Sequence, residues 1–347
     1  MDKPSFYEQK EKLIEEIKEK YPDIVAAVDA SRDTCKMSGA MLEQSYIFLS
    51  NIRESLTDEE FAEFAKEFLS GDNLLRLSGK LEGQAKVYGG SAHDFNFSGD
   101  QARECIALDN LLKNQSMKHG GDYIKNGMQY ARENIGDSSN LMDAFLKYIV
   151  CTNYQDLQCR TVVGNVGRIR GGERYECVLG DYQFAHVKVE FDTGTDYIEP
   201  DMLAARANMT GMKLGKKLLQ YVMETVHEQF PDRSMKSTTV MRKNIPAIKL
   251  YKSMGGQFYV GGKPIENPYA DTKNSCTVIF TKEKMEEVSQ MEITPPELNW
   301  EPKSKQNEPT VLKQKEKTLS SLKAESAELS EQLAMIENNK QNQDISE

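Results

Sequence analysis

Residues 202–256 read MLAARANMTGMKLGKKLLQYVMETVHEQFPDRSMKSTTVMRKNIPAIKLYKSMGG, and this stretch decides the fold. Met202 to Ala205 is a short apolar run suited to a buried strand end. Arg206 to Thr210 is polar and irregular, and Gly211 and Gly215 bracket the turn that follows. The period then becomes helical: Leu214, Leu218, Tyr221, Val222, Thr225 and Val226 share one face, opposite Lys216, Lys217, Gln220, Glu224 and Glu228. Pro231-Asp232 breaks the chain, and Lys236 to Met241 is β-prone. Asn244 can cap a second helix that tolerates Pro246 in its first turn. Ile245, Ile248, Tyr251 and Met254 keep helical spacing until Gly255-Gly256 stops it. The order is strand, turn, helix, strand, helix.

A glycine-bearing turn before a helix leaves backbone N–H groups aimed at one point, at the positive end of the helix dipole. That arrangement suits a pyrophosphate, and Lys213, Lys216 and Lys217 add positive charge. Taken alone, Gly-x-x-x-Gly is more often an ordinary connection that needs glycine for turn geometry.

Asn244-x-x-Ala247-x-x-x-Tyr251-x-x-x-Gly255 lies beyond that turn, and the two signals together resemble the GCN5-related N-acetyltransferase (GNAT) family. Gly256 and Gln257 precede Phe258 where the family has Gly-Phe directly. The turn also departs from the pattern, with Thr210 in place of Arg or Gln and Lys213 in place of the first Gly. The resemblance implies an α/β fold with a mixed GNAT-like sheet, acetyl-CoA as co-substrate, and transfer of its acyl group to an amine. Its cofactor contacts fall on Ala204, Ala205, Gly211, Lys213, Leu214, Gly215, Lys216, Asn244 and Ala247. Tyr251 matches the tyrosine that protonates the departing thiolate, and Glu199 or Asp201 falls where some members carry a base. The plainer readings are a core tyrosine and a solvated turn carboxylate, and Pro200 weakens that strand. A non-catalytic GNAT-like scaffold, or a module that binds CoA for interaction, is the alternative function.

Arg174 to Leu179 and Tyr182 to Phe191 alternate like strands around a Gly180-Asp181 turn, giving a hairpin before the strand that ends at Ala205. Gln257 to Val260 and Ser275 to Thr281 read as closing strands, so the core is expected to end near Lys284. Helices over 122–135 and 140–150 correspond to the family's first two, which requires a first strand before Asp122; Ala85 to Tyr88 is a poor candidate for it.

The expected organisation is a mostly helical N-terminal domain over 1–119 and a GNAT-like domain over 120–285. A Pro-rich linker over 286–310, a coiled-coil helix over 311–338 and a disordered tail over 339–347 follow. In the N-terminal part Leu13, Ile14, Ile17 and Tyr21 form a stripe, and Met37 to Leu56 is a helix-length run. Thr57 with Glu60 makes a capping box ahead of Phe61, Phe64, Ala65, Phe68 and Leu69. Ser91, His93 and Asp94 are adjacent in sequence, which is not triad geometry. Leu312, Leu319, Ser326 and Leu333 fall at one heptad position and Lys315, Leu322, Leu329 and Ile336 at its partner, a seam interrupted by Lys315 and Ser326 that suits weak self-association, a partner helix or a solvated tail helix.

A chain of 347 residues with a net charge of -10 argues against nucleic acid or an anionic membrane as general partners. It favours a cationic acceptor, an amine-bearing small molecule or a protein lysine. The six cysteines show no C-x-x-C spacing, so free thiols in a cytoplasmic setting are expected. Four scattered histidines give no reason to expect a metal.

Overall fold

Side-chain caps fix where the N-terminal helices begin. In a computed structural model that describes residues 4–77, 101–136, 140–162, 171–206, 209, 211–269 and 275–302, Ser5 and Glu8 close a capping box that starts α1 (Phe6–Lys20). Pro22 opens α2 (Pro22–Cys35), Ser38 caps α3 (Gly39–Arg53), and the Thr57–Glu60 box starts α4 (Asp58–Phe68) as the spacing predicts. Beyond helical residues 71–77 come α5 (Gln101–His119), α6 (Gly121–Glu133) and α7 (Leu141–Thr152). Phenylalanines tie these helices together. Phe48 of α3 packs at 5.1 Å from Phe68 and at 5.6 Å, edge-on, from Phe145 of α7. Aromatic pairs in these geometries contribute about 0.5–1.5 kcal/mol beyond their buried area.

The strands form one mixed sheet among the described residues, in the order β1-β2-β3-β4-β5-β8-β6-β7. They are β1 (Gln158–Val162), β2 (Gly172–Leu179), β3 (Tyr182–Glu190), β4 (Tyr197–Ala205), β5 (Ser234–Met241), β6 (Gln257–Val260), β7 (Lys263–Ile265) and β8 (Ser275–Phe280). Helix α8 (Leu214–Gln229) joins β4 to β5, and α9 (Ile245–Ser253) joins β5 to β6. Every pairing is antiparallel except β4 with β5. Tyr221 of α8 meets Tyr175 of β2 edge-on at 6.2 Å, so the face bearing Tyr175, Cys177, Ala185 and Val187 lies under α8. On the opposite face, Glu104 of α5 is ion-paired with Arg206 just past β4.

The first described strand is β1, which follows α6 and α7; the described residues before Asp122 hold helices and connections but no strand. Through Phe145, α7 joins the phenylalanine core of α3 and α4, and through Cys151, whose thiol lies 3.3 Å from Met212 Sδ, it also touches the turn before α8. Residues 85–88 and the Ser91–His93–Asp94 group lie outside the described residues, as do Thr210 and the heptads of 311–338. The compact unit also runs past Lys284, to Leu298. Thr281 caps α10 (Lys282–Ser289), which buries Met285 and Val288.

Gly127 marks the closest approach of α6 to α7, where an added Cβ would stand 2.6 Å from Phe145 Cε2 and 2.9 Å from Tyr148 Cδ1. Alanine gains about 1 kcal/mol in helix propensity, but overpacking costs about 1–3 kcal/mol. With ring carbons this close the overpacking cost falls at the upper end of its range, so Gly127→Ala is expected to lower stability by up to about 2 kcal/mol, read as a reduced urea midpoint at unchanged slope.

Candidate functional site

Strands β4 and β5 run side by side for two rungs and then part. Tyr197 pairs with Ser234 and Ile198 with Met235, and no later pair joins them among the described residues. Each strand carries an irregularity on this stretch. The β3–β4 register shifts between His186 and Lys188, which leaves an extra residue in β4 near 202–203. The β5–β8 register shifts between Ser237 and Val240, which leaves one in β5 near 238–239. A bulge bends its strand and sharpens its twist, so bulges in both strands open a wedge toward their carboxyl ends. Pro200 follows the last rung, where β4 keeps β3 as its neighbour and has lost β5; that edge-like position tolerates a missing N–H.

The helix starts gather at the mouth of this wedge, because both connections leave from strand ends there. Gly215 in the first turn of α8 sits so close to α9 that an added Cβ would meet Leu250 Cδ2 at 3.0 Å, with Leu203 of β4 at 3.9 Å. Gly211 has φ +89, and Lys213 precedes α8 at φ +55 without a side-chain cap. A lysine in the left-handed region costs about 1–2 kcal/mol, which accounts for glycine being the usual residue there. Here the strain has a counterweight. Lys213 Nζ donates to the carbonyls of Thr294 at 2.8 Å and Pro295 at 3.3 Å. Gln220, farther along α8, donates to Val288 O at 3.0 Å. The segment after α10 is thus strapped along α8 and ends against the turn.

The remaining predicted residues fall around the wedge at different depths. Ala204 and Ala205 close β4 opposite His186 and Ala185, Leu214 is buried, and Lys216 is half-buried. Asn244 accepts from the Ala247 N–H at 3.3 Å and caps α9. Tyr251 is buried in α9, its ring edge-on to Phe280 of β8 at 6.0 Å. Glu199 stands one residue past the last rung, at the closed end, and Lys236 of β5 faces it across the wedge at 3.9 Å. Asp201 sits two residues nearer the mouth, opposite Lys188 in register. Arg233, immediately before β5, went unremarked in the sequence. Its guanidinium donates to Phe191 O at 2.8 Å, Tyr197 O at 2.7 Å and Thr195 O at 3.1 Å, and so fastens the vertex. Nothing in the residue pattern marks an arginine whose partners are backbone carbonyls.

The sheet face away from α8 is ionic. Arg160 pairs in register with Glu176, Glu176 with His186, Arg174 with Lys188, Lys188 with Asp201, and Glu190 with Glu199. Glu176 is buried between Arg174 at 3.3 Å and Arg160 at 3.6 Å. Of this row Glu176 and His186 are buried, while Arg174, Lys188 and Glu190 are half-buried. Among the described residues no cluster of three or more His, Cys, Asp or Glu could hold a metal.

No protein-family model matches the chain. No curated protein matches it either. Solved structures align over its central part. A Bacillus subtilis acetyltransferase in complex with CoA is 12% identical, with a TM-score of 0.29, over 36% of this chain and 98% of its own. An IAA acetyltransferase from Bacillus cereus is 11% identical, with a TM-score of 0.29, over 36% and 99%. A GNAT-family acetyltransferase from Staphylococcus aureus is 15% identical, with a TM-score of 0.26, over 46% and 94%.

His186 supplies a test of the ionic face. Burial, then the charges of Arg174 and Lys188, push its imidazole from the ordinary 6.5 down to about 3. Below 6.5 the unfolded chain takes up a proton that the folded chain refuses until about 3, so stability falls as pH drops through that window. The expected loss is about 2 kcal/mol between pH 7 and pH 5. Denaturant titrations at the two pH values should show it in the parent, and His186→Gln should flatten it.

Proposed function

We propose that the protein is an acyl-CoA-dependent N-acyltransferase, acting most naturally with acetyl-CoA on an amine-bearing small molecule or a protein lysine. One observation carries this reading: bulged, parallel β4 and β5 separate after two rungs, with the starts of α8 and α9 at the open end. A crevice beyond the carboxyl ends of parallel strands is where open α/β sheets take ligands. A slot between strands also offers unpaired backbone N–H and C=O groups, which match the amides of a pantetheine arm. The turn at 211–215 and the first turn of α8 suit the pyrophosphate, whose charge the helix dipole and Lys216 favour.

The chemistry follows from the groups around the wedge. The amine nitrogen attacks the thioester carbonyl; a C–N bond forms and the C–S bond breaks. Glu199 or Asp201 takes the proton from nitrogen, and Tyr251 returns one to the sulfur, giving an amide and free CoA. Asn244 and Ala247 hold the start of α9, and through it Tyr251, in place. The ionic pair of Lys236 with Glu199 fixes the carboxylate at the vertex. An overall charge of -10 supports a cationic acceptor.

A second reading has its own observation. Lys213 spends its ammonium on the strap carbonyls of Thr294 and Pro295, which supports a GNAT-like scaffold in which the turn serves packing. Calorimetry with acetyl-CoA separates the two. The transferase reading expects micromolar binding that weakens about tenfold in Lys213→Glu, as loss of one charge and gain of its opposite beside a phosphate requires. Absence of heat at millimolar ligand leaves the scaffold.

Turnover gives the second test. Tyr251→Phe keeps the ring against Phe280 and removes the phenol, so the fold should persist while kcat drops about a hundredfold. Unchanged kcat would remove Tyr251 from the mechanism.

A further inference from the structure

Two cysteines that share no sequence motif are brought face to face by the sheet. Cys159 of β1 and Cys177 of β2 are direct partners in the antiparallel ladder. Directly opposed residues lie about 4.5–5.5 Å apart at Cα, inside the roughly 4.4–6.8 Å that a disulfide spans. Both stand on the face under α8, where Cys159 Sγ also donates to Lys217 O at 3.6 Å. Both are reduced in this structure. Cys159 is partly exposed and Cys177 is buried, so one thiol can meet a small oxidant while the other waits behind it.

The surroundings bias the pair toward reaction. The Cys177 thiol, and to a smaller extent the Lys217 ammonium, pull Cys159 below the usual thiol range. Hydrogen bonding with Cys159, then burial, pushes Cys177 up. By contrast, burial raises Cys151 and Cys276. Tyr154 completes the group. It is buried, and its hydroxyl has no hydrogen-bond partner among the described residues. Both cysteines raise it further, and Lys217 Nζ sits 5.1 Å from its ring centroid. A buried hydroxyl without a partner is uncommon, and this one lies close enough to both thiols to feel their charge.

We propose that Cys159 and Cys177 are an oxidation site, forming a reversible cross-strand disulfide in response to peroxide. The Cys159 thiolate attacks one peroxide oxygen; the O–O bond breaks, sulfur takes up OH as a sulfenic acid, and hydroxide leaves to become water. The Tyr154 hydroxyl donates to the sulfenate oxygen. Cys177 then attacks the oxidised sulfur, the S–S bond forms, and the oxygen leaves as a second water with the proton of Cys177. Two thiols lose two electrons, and one peroxide gains them. The pair lies outside the wedge residues, so the site stands whether or not the protein transfers acyl groups.

The test is graded hydrogen peroxide on the full-length chain, then alkylation under denaturing conditions and peptide mapping. The expected first product is a cross-linked peptide pair holding Cys159 and Cys177, two hydrogens lighter and released by dithiothreitol. It should form about tenfold faster than oxidation of Cys35, Cys105, Cys151 or Cys276. In Cys177→Ala, Cys159 should persist as a sulfenic acid trapped by a carbon nucleophile such as dimedone. The wild-type map alone decides if that variant fails to fold. Another cysteine oxidised first, or Cys159 passing to sulfinic acid uncrosslinked in the parent, would overturn the proposal.

Discussion

Backbone pairing between β4 and β5 is the constraint from which the rest of the structure follows. A parallel sheet normally gains by extending its ladder, since each further rung satisfies two polar groups that would otherwise lie exposed or orphaned. Here the ladder stops after Ile198 and Met235, although both strands continue for several residues. Each of the two is paired securely on its other side, β4 to β3 and β5 to β8, and each absorbs one extra residue along that pairing. With pairing kept on both outer sides and lost between them, the sheet opens at its middle without losing an edge. The opposite end must then be held shut. Arg233 does this from the approach to β5, with its guanidinium on three carbonyls around the start of β4. A vertex fastened by charge-assisted hydrogen bonds and a mouth opened by bulges make a rigid wedge.

The helices are placed by the same geometry. Connections leaving β4 and β5 at their carboxyl ends must begin α8 and α9 at the mouth. The two helices approach so closely there that a Cβ at 215 would stand 3.0 Å from Leu250 Cδ2 and press that side chain aside. Lys213 takes the left-handed conformation that glycine takes more cheaply, and its side chain recovers part of the cost on the strap. The strap in turn depends on α10, whose Met285 and Val288 are buried beside α8. The left-handed lysine before α8 and the segment after α10 therefore belong to one arrangement.

Much of this was legible in the residues. The switch from a two-residue to a helical period at Leu214, the Asn244 cap and the Gly255 stop are local signals, and each sits where the backbone uses it. The Thr57 capping box is local in the same way. What escaped was set by contacts far apart in sequence. Helices α6 and α7 have amphipathic patterns that suit either a domain's own flank or a neighbour's core, and α7 meets both, Phe48 through Phe145 and Met212 through Cys151. Arg233 and the strap act on backbone carbonyls, which carry no residue identity to read. The bulges near 202–203 and 238–239 are relations between strands, and neither strand's own sequence announces them.

The ionic face shows how the wedge and the helical layer constrain each other. A sheet covered on both sides usually turns apolar on both, as the face under α8 does with Tyr175, Cys177, Ala185 and Val187. The other face carries Glu176 and His186 at comparable depth, and charge has been kept there at a desolvation cost. The cost is limited by distributing it. Glu176 is shared between two arginines, and Arg174 also donates to Gln183. His186 stays neutral beside Arg174 and Lys188, adding no further positive charge to the row. At the end of that row Arg206 reaches three groups at once: Glu104 on α5, the Gln183 carbonyl and the Tyr182 ring. Arg206 is also the first residue after β4, so the side chain that docks α5 onto the sheet begins the turn at the mouth of the wedge. One arginine thus serves both the docking of α5 and the end of β4, and its polar contacts set it with more directional demand than an apolar contact would.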